Sequence, residues 1–161
     1  MSLTEQKVDT IARILLSESP ADYQKAKSEL QRLMECPEEV QRDTVTSLIH
    51  KLLSQVGVPT YTVGHMYLVA AIQEAVDDPL TLVKVSCPGG LFPRIAEKFN
   101  AKSQSTVERG MRQCIEAAWN HGNDEFQRDH FPVVSPITMV PTLLEFISRS
   151  ANIIRLQMEQ E

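Results

Sequence analysis

The chain has 161 residues, of which 42% are hydrophobic and 23% are charged, a composition that suits one medium globular domain with a small helical extension. No apolar run is long enough to span a bilayer, and the acidic Glu5 and Asp9 exclude a secretory signal peptide, so we expect a cytoplasmic protein without a membrane partner. The net charge of −5 argues against a nucleic-acid partner, although residues 88–121 alone have a basic surplus, with 5 basic and 3 acidic groups.

Three helices are predicted ahead of residue 57. Each begins at a residue that suits a helix N-terminus: Thr4 as a cap, and Pro20 and Pro37 in a first turn. The third helix ends near Gly57-Val58-Pro59, which we take as a domain boundary. This divides the chain into an N-terminal helical module, residues 1–56, which is a candidate dimerisation or docking element, and a second domain, residues 57–161.

The second domain is also predicted to be helical. Apolar spacing indicates a helix over residues 64–77 and a short one over 78–85, after which Cys87-Pro88-Gly89-Gly90 breaks the chain. Thr142 can cap a final helix, whereas residues 122–140 are polar and then contain proline. Because no β alternation is sustained, the predicted fold class is all-α, a multi-helix bundle that contains a helix-turn-helix and follows an N-terminal helical hairpin.

The segment Leu91–His121 has the pattern of a helix-turn-helix, a motif whose second helix lies in the major groove of DNA. Asn100 is suited to end the first helix because asparagine tolerates the left-handed conformation of a tight turn. Ser103 or Ser105 can cap the second helix. That helix has one apolar stripe at the spacing of buried positions, formed by Val107, Met111, Cys114, Ile115 and Ala118.

The opposite side of the second helix has side chains that could read bases. Arg109 and Arg112 could each pair bidentately with a guanine edge, and Glu108 could accept a hydrogen bond from cytosine N4. The alternative is a solvated amphipathic helix, in which Glu108 pairs with Arg112 four residues further on. The pattern alone leaves both interpretations open.

The cysteine and histidine patterns argue against catalysis and metal binding. The three cysteines have no paired spacing, so reduced thiols are expected, and no histidine sits at metal-ligand spacing from a cysteine. A Cys114 nucleophile would need a histidine base, but Cys114 falls on the buried stripe and His121 has no third group near it in sequence. We therefore expect no enzyme, no catalytic or metal-ligating residue, no cofactor and no small-molecule substrate.

An ordered series of short motifs runs from about residue 45 to the C-terminus. The motifs are Gly57-Val58-Pro59, Gly64-His65-Met66-Tyr67-Leu68, Ala71-Ile72, Phe92-Pro93, Ile95-Ala96-Glu97-Lys98-Phe99-Asn100, Val107-Glu108-Arg109, Ile115-Glu116, Ala118-Trp119, Gly122-Asn123, Pro141-Thr142, Glu145-Phe146-Ile147 and Arg155-Leu156. This series closely resembles the C-terminal effector domain of the stage-zero sporulation protein A family, the response regulators that initiate endospore formation in Firmicutes.

The resemblance implies an all-helical effector domain that binds a short element of double-stranded DNA, often as a tandem dimer, and activates or represses transcription. The family's DNA-reading residues carry over at Glu108, Arg109 and Arg112, and Ser105 matches a small hydroxyl at the helix start. We therefore expect a DNA partner and a homodimer. Pattern and resemblance together give the predicted DNA-contacting residues: Lys98, Lys102, Ser105, Thr106, Glu108, Arg109, Arg112 and Gln113.

The chain departs from the family at several positions near the helix-turn-helix. Thr106 stands where the family usually has arginine, Gln113 where histidine is usual, and Glu97 where a lysine is usual. The turn at Ala101–Gln104 looks one residue longer, and Pro88-Gly89-Gly90 looks like a small insertion. Each change removes positive charge or alters the docking geometry.

Full-length members of the family have a phosphoacceptor receiver domain ahead of the effector domain. The residues before 45 show no alternating strand pattern, and Asp9, Asp22 and Asp43 fall on predicted helix surfaces, so we expect no phosphorylation site and no phosphorelay input. Two functions then remain. The first is a stand-alone DNA-binding transcriptional regulator; the second is a protein-interaction module of the same fold that modulates another regulator without strong DNA binding, which the acidic N- and C-terminal parts favour.

Overall fold

A computed structural model describes residues 37–132, 137 and 139–160, with the backbone alone at 37–40. The described part is helical and contains no strand. Its elements are α1 (Pro37–Val56), α2 (Val63–Asp77), a 3-10 helix (Pro79–Leu82), α3 (Leu91–Lys98), α4 (Gln104–His121), α5 (Asp124–His130) and α6 (Leu143–Glu159). The predicted all-α fold class is confirmed. The helices predicted before Pro37 lie outside the described residues.

The compact unit that contains the helix-turn-helix spans residues 44–161. It includes the C-terminal half of α1, which the sequence analysis assigned to the N-terminal module. Val45, Ile49 and Leu53 of that half are buried in the core, and Gly57, with a φ of 95°, turns the chain toward α2. The domain division itself stays a prediction.

Side-chain caps fix where the helices begin. Thr62 precedes α2, and its hydroxyl accepts a hydrogen bond from the backbone N–H of His65. Thr142 begins α6 with a reciprocal capping box, in which the Glu145 carboxylate accepts from the backbone N–H of Thr142. These hydrogen bonds lower the pKa of Glu145. The cap that the sequence predicted at Thr142 is confirmed.

The core lies where α2 meets α4 and α6, under an aromatic cluster. The Trp119 ring packs edge-on against Phe131 and Phe146, with ring centroids 5.8 and 6.0 Å away. Phe131 and Phe146 stack on each other at 5.1 Å. Trp119 is therefore a packing residue that anchors the C-terminal half of α4 on α6.

Helix α5 is an element that the sequence analysis did not predict. Asn123 caps it by accepting from the backbone N–H of Phe126. The Gln127 side chain is buried, and its amide donates to the carbonyl oxygens of Val56 at 2.9 Å and of Ala118 at 2.8 Å. One amide thus ties the C-terminal ends of α1 and α4 to α5.

Candidate nucleic-acid interface

Helices α3 and α4 form the predicted helix-turn-helix, joined by residues 99–103. Asn100 has a φ of 51°, the left-handed conformation predicted for it. Its backbone N–H donates to the carbonyl of Glu97, and that of Ala101 donates to the carbonyl of Ala96 at 2.8 Å. This pair of bonds is a Schellman motif, which satisfies the last carbonyls of α3 and redirects the chain.

Helix α4 begins at a serine cap. Of the two predicted candidates, Ser103 is the cap, and its hydroxyl accepts from the backbone N–H of Thr106 at 3.2 Å. The Thr106 hydroxyl lies 3.1 Å from the same oxygen. The capped start leaves Ser105 exposed in the first turn, with the partial positive charge of the helix N-terminus beside it.

The buried stripe of α4 is confirmed at every predicted position, from Val107 to Ala118. It packs mainly on α2, where Gly64 brings the two backbones into close approach. The Cys114 sulfur lies 3.0 Å from the Thr62 hydroxyl. Burial raises the pKa of the Cys114 thiol and the Thr62 hydrogen bond partly opposes this effect, so the environment disfavours the thiolate, which is the nucleophilic form.

The predicted DNA-contacting residues of α4 lie away from its buried stripe, whereas Lys98 and Lys102 belong to α3 and to the turn. All are exposed except Glu108, which is half-buried. Lys98 lies near the end of α3, with its ammonium 5.7 Å from the centre of the Phe99 ring. Across the described residues, the guanidinium groups of Arg109 and Arg112 make no hydrogen bond or ion pair, so both are free to meet a ligand.

Glu108 does not form the ion pair with Arg112 that the alternative interpretation required. Its carboxylate Oε1 instead accepts from the side-chain amide of Gln104 at 3.0 Å. Among the predicted contact residues of α4, the ionisable side chains are therefore one hydrogen-bonded carboxylate and two unpaired guanidinium groups. Gln104 was missed because the sequence analysis placed it in the turn rather than in the first position of α4.

Arg94 of α3 is bound within the fold. Its guanidinium donates twice to one oxygen of Glu74, at 3.1 and 2.5 Å, and once to the carbonyl of Gly89 at 2.6 Å. It therefore holds α3 on α2 and is not available to DNA. The sequence gives little indication of this structural role for Arg94. Its acidic partner, Glu74, lies 20 residues earlier in the chain, so local spacing does not pair the two residues.

Other kinds of site have little support in the described part of the chain. Its histidines, cysteines and carboxylates form no group of three or more that could hold a metal ion. Cys87 and Cys114 are free thiols. Among these residues no helix is long and apolar enough to cross a bilayer.

Residues 49–154 match the family described as Sporulation initiation factor Spo0A C terminal. The chain belongs to this family. The match contains the whole helix-turn-helix and all the helices around it except the first part of α1 and the last turn of α6. The Spo0A C-terminal family consists of DNA-binding effector domains of sporulation regulators rather than of enzymes, and the resemblance seen in the sequence is confirmed.

Membership of the Spo0A C-terminal family does not test the individual contacts. The eight predicted DNA-contacting residues, the homodimer and the lack of phosphorelay input stay predictions. The match begins at residue 49, so it assigns no role to residues 1–48 of the N-terminal module.

Proposed function

We propose that the chain is a sequence-specific regulator of transcription that inserts α4 into the major groove of double-stranded DNA. The observation that carries the proposal is the exposure of Arg109 and Arg112, both without a partner among the described residues, on the second helix of a capped helix-turn-helix. Two such guanidinium groups in a fixed register are suited to bidentate contacts with guanine O6 and N7.

The remaining residues divide into base-reading and positioning roles. Glu108 accepts from an exocyclic amino group, and Gln113 lies one turn beyond Arg109 to contact a base or a phosphate. Lys98 and Lys102 contact phosphates beside the groove, and Ser105 and Thr106 meet a phosphate at the start of α4. The protein acts as a homodimer in the cytoplasm, with the second copy held by the N-terminal module or by α6.

A protein-interaction module is the second candidate function. The observation that favours it is charge: residues 122–161 hold 3 basic and 6 acidic groups, and the whole chain has a net charge of −5. A long-range field of this sign opposes DNA approach, so binding would depend on the local surplus around α4. This candidate predicts a folded protein without measurable DNA affinity at physiological salt.

The deciding experiment is selection of binding sequences by the full chain from a random double-stranded DNA pool, followed by titration at several salt concentrations. Enrichment of one motif, with affinity that falls as salt rises, supports the proposal. Arg109→Ala and Arg112→Ala should each cost about 1–3 kcal/mol and relax preference at one base pair. Arg128→Ala, on the exposed surface of α5, is the matched control and should leave affinity unchanged within about twofold.

Absence of salt-sensitive DNA binding by the folded parent chain would overturn the proposal in favour of the interaction module. A uniform loss across all sequences for Arg109→Ala would instead assign that residue to the phosphates.

A further inference from the structure

The only carboxylate that α4 presents among its predicted base-reading residues is held by a neighbouring amide. The Gln104 side-chain amide donates to Oε1 of Glu108 at 3.0 Å, and both residues are half-buried. By contrast, Ser105, Arg109 and Arg112 around them are exposed. Glu108 is therefore a hydrogen-bonded, half-buried carboxylate on a face whose other polar side chains are exposed.

We propose that Gln104 is a positioning residue, which orients Glu108 and thereby sets the base preference at one position of the DNA site. The proposal rests on the proposed DNA-binding function and adds to it a residue outside the predicted contact set. Gln104 itself does not need to touch the DNA.

Gln104 and Arg112 compete for the carboxylate of Glu108. Glu108 and Arg112 are four residues apart on one helix, the spacing at which Glu and Arg attract each other. A freely rotating Glu108 would spend part of its time on Arg112 and neutralise a base-reading group. The hydrogen bond from Gln104 draws Oε1 toward the start of α4, away from Arg112, and the described residues show no ion pair between the two.

The second carboxylate oxygen of Glu108, Oε2, is the atom available to a base. Oε2 of Glu108 makes no hydrogen bond among the described residues, so it can accept from a base. The major groove offers few donors, namely the amino groups of cytosine and adenine, whereas guanine and thymine present acceptors. A carboxylate held at the groove therefore favours a donor and repels an acceptor, and the repulsion provides much of the discrimination. A carboxylate that can swing away loses this discrimination.

The test uses the full chain and the DNA motif that it selects. Affinities are measured for the selected site and for sites in which each base pair is replaced in turn. Glu108→Ala identifies the position that Glu108 reads, as the position at which discrimination disappears. Gln104→Met keeps the unbranched stem and the helix propensity but cannot donate a hydrogen bond.

We expect Gln104→Met to reduce discrimination at the Glu108 position by about threefold to tenfold, because a hydrogen bond to a charged group is lost. Discrimination elsewhere and the salt dependence should stay as in the parent. Gln104→Lys retains a donor and should preserve discrimination at that position. Gln73→Met removes a more exposed amide–carboxylate hydrogen bond, to Asp77 on α2, together with the bond that Gln73 accepts from Thr46, and serves as the control that leaves base preference unchanged.

Two results would overturn the inference. Unchanged discrimination in Gln104→Met, with Glu108→Ala still losing it, would show that Glu108 needs no support. An equal loss of affinity for all sequences would show that Gln104 only stabilises the helix. Failure of the parent to bind any DNA is a separate result, which overturns the proposed function together with this one.

Discussion

Gly64 of α2 lies directly against the backbone of Gly110 in α4. A Cβ atom at Gly64 would meet the carbonyl oxygen of Gly110 and would lie 2.7 Å from the Cys114 sulfur. Because no side chain separates the two backbones, the Thr62 hydroxyl reaches Cys114 at 3.0 Å. The orientation of α4 is therefore set by a contact that only glycine at position 64 allows.

We expect Gly64→Ala to destabilise the fold by about 1–3 kcal/mol, because an overpacked backbone contact can be relieved only by moving α4 away from α2. The matched control is Gly110→Ala, whose Cβ would meet the Tyr67 ring at 3.4 Å, an ordinary contact. Gly110→Ala should be neutral or stabilising by up to about 1 kcal/mol, since alanine favours the helix. Urea denaturation measures both, and equal stability of the two variants would contradict the assignment.

The displacement of α4 in Gly64→Ala should also weaken DNA binding. With Gly64→Ala still folded at low temperature, its affinity for the selected DNA should fall by about tenfold or more, because α4 no longer projects both arginines in one register. Affinity of Gly110→Ala should match that of the parent. A Gly64→Ala protein that binds as tightly as the parent would show that α4 tolerates the shift.

Gln127→Leu should cost about 1–2 kcal/mol of unfolding free energy, because it deletes both hydrogen bonds of the buried amide. The cost is limited since Val56 and Ala118 keep other donors, the backbone N–H groups of Asn123 and Gly122. Gln127→Glu should cost more at pH 7, about 3 kcal/mol, because a buried carboxylate would face two carbonyl oxygens.

Urea denaturation of Gln127→Leu and Gln127→Glu at pH 7 and at pH 5 separates the loss of the hydrogen bonds from the cost of the buried charge. The deficit of Gln127→Glu should shrink at the lower pH as the acid becomes protonated and able to donate, whereas that of Gln127→Leu should not change. Equal deficits for the two variants at pH 7 would argue against a buried hydrogen-bonding role.

The buried His65 predicts a pH dependence of stability. Its Nε2 lies 3.2 Å from Nδ1 of His50, and its Nδ1 is buried without a partner among the described residues. Burial, and then the nearby His50, lowers the pKa of His65. The unfolded chain therefore binds a proton at higher pH than the folded one, so stability is full above about pH 6.5 and falls below it, by at most about 1.4 kcal/mol per pH unit.

His65→Phe should flatten this slope between pH 7 and 5.5, measured by urea denaturation at each pH. His50→Gln should reduce it only in part, because burial is the larger cause. If the slope of unfolding free energy against pH is unchanged in His65→Phe, the pH dependence arises from groups other than His65.

Local rules predicted the parts of the fold that depend on neighbours in sequence. Asn100 in the left-handed region, a serine cap at Ser103 or Ser105 and the stripe from Val107 to Ala118 each follow from residues within a few positions, and the structure shows that Ser103 is the cap. The exposed side of α4 follows from that stripe, so the position of Arg109 and Arg112 on the surface was predictable as well.

Contacts between distant residues could not be predicted in this way. The Gln127 amide donates to the carbonyl of Val56, 71 residues earlier in the chain. Gly64 packs against the backbone of Gly110, and no sequence pattern indicates that these two glycines are in contact. Helix α5 has seven residues, too few to show a periodic apolar stripe, although Asn123 followed by acidic residues has the character of a helix start. The hydrogen bond from Gln104 to Glu108 could have been predicted only if the start of α4 had been placed to within one residue.

The ion pair between Arg94 and Glu74 holds α3 against α2. Arg94 binds Glu74 through two nitrogens and Gly89 through a third, a geometry that lysine cannot reproduce. Both side chains are partly exposed, at 42% and 29%, so we expect a coupling of only about 0.5–1 kcal/mol. A double-mutant cycle of Arg94→Lys and Glu74→Gln measures it, and the coupling should weaken in 1 M salt. If the changes in unfolding free energy of the two substitutions are additive, Arg94 acts mainly through its hydrogen bond to Gly89. In that case the turn before α3, rather than α2, sets the orientation of α3.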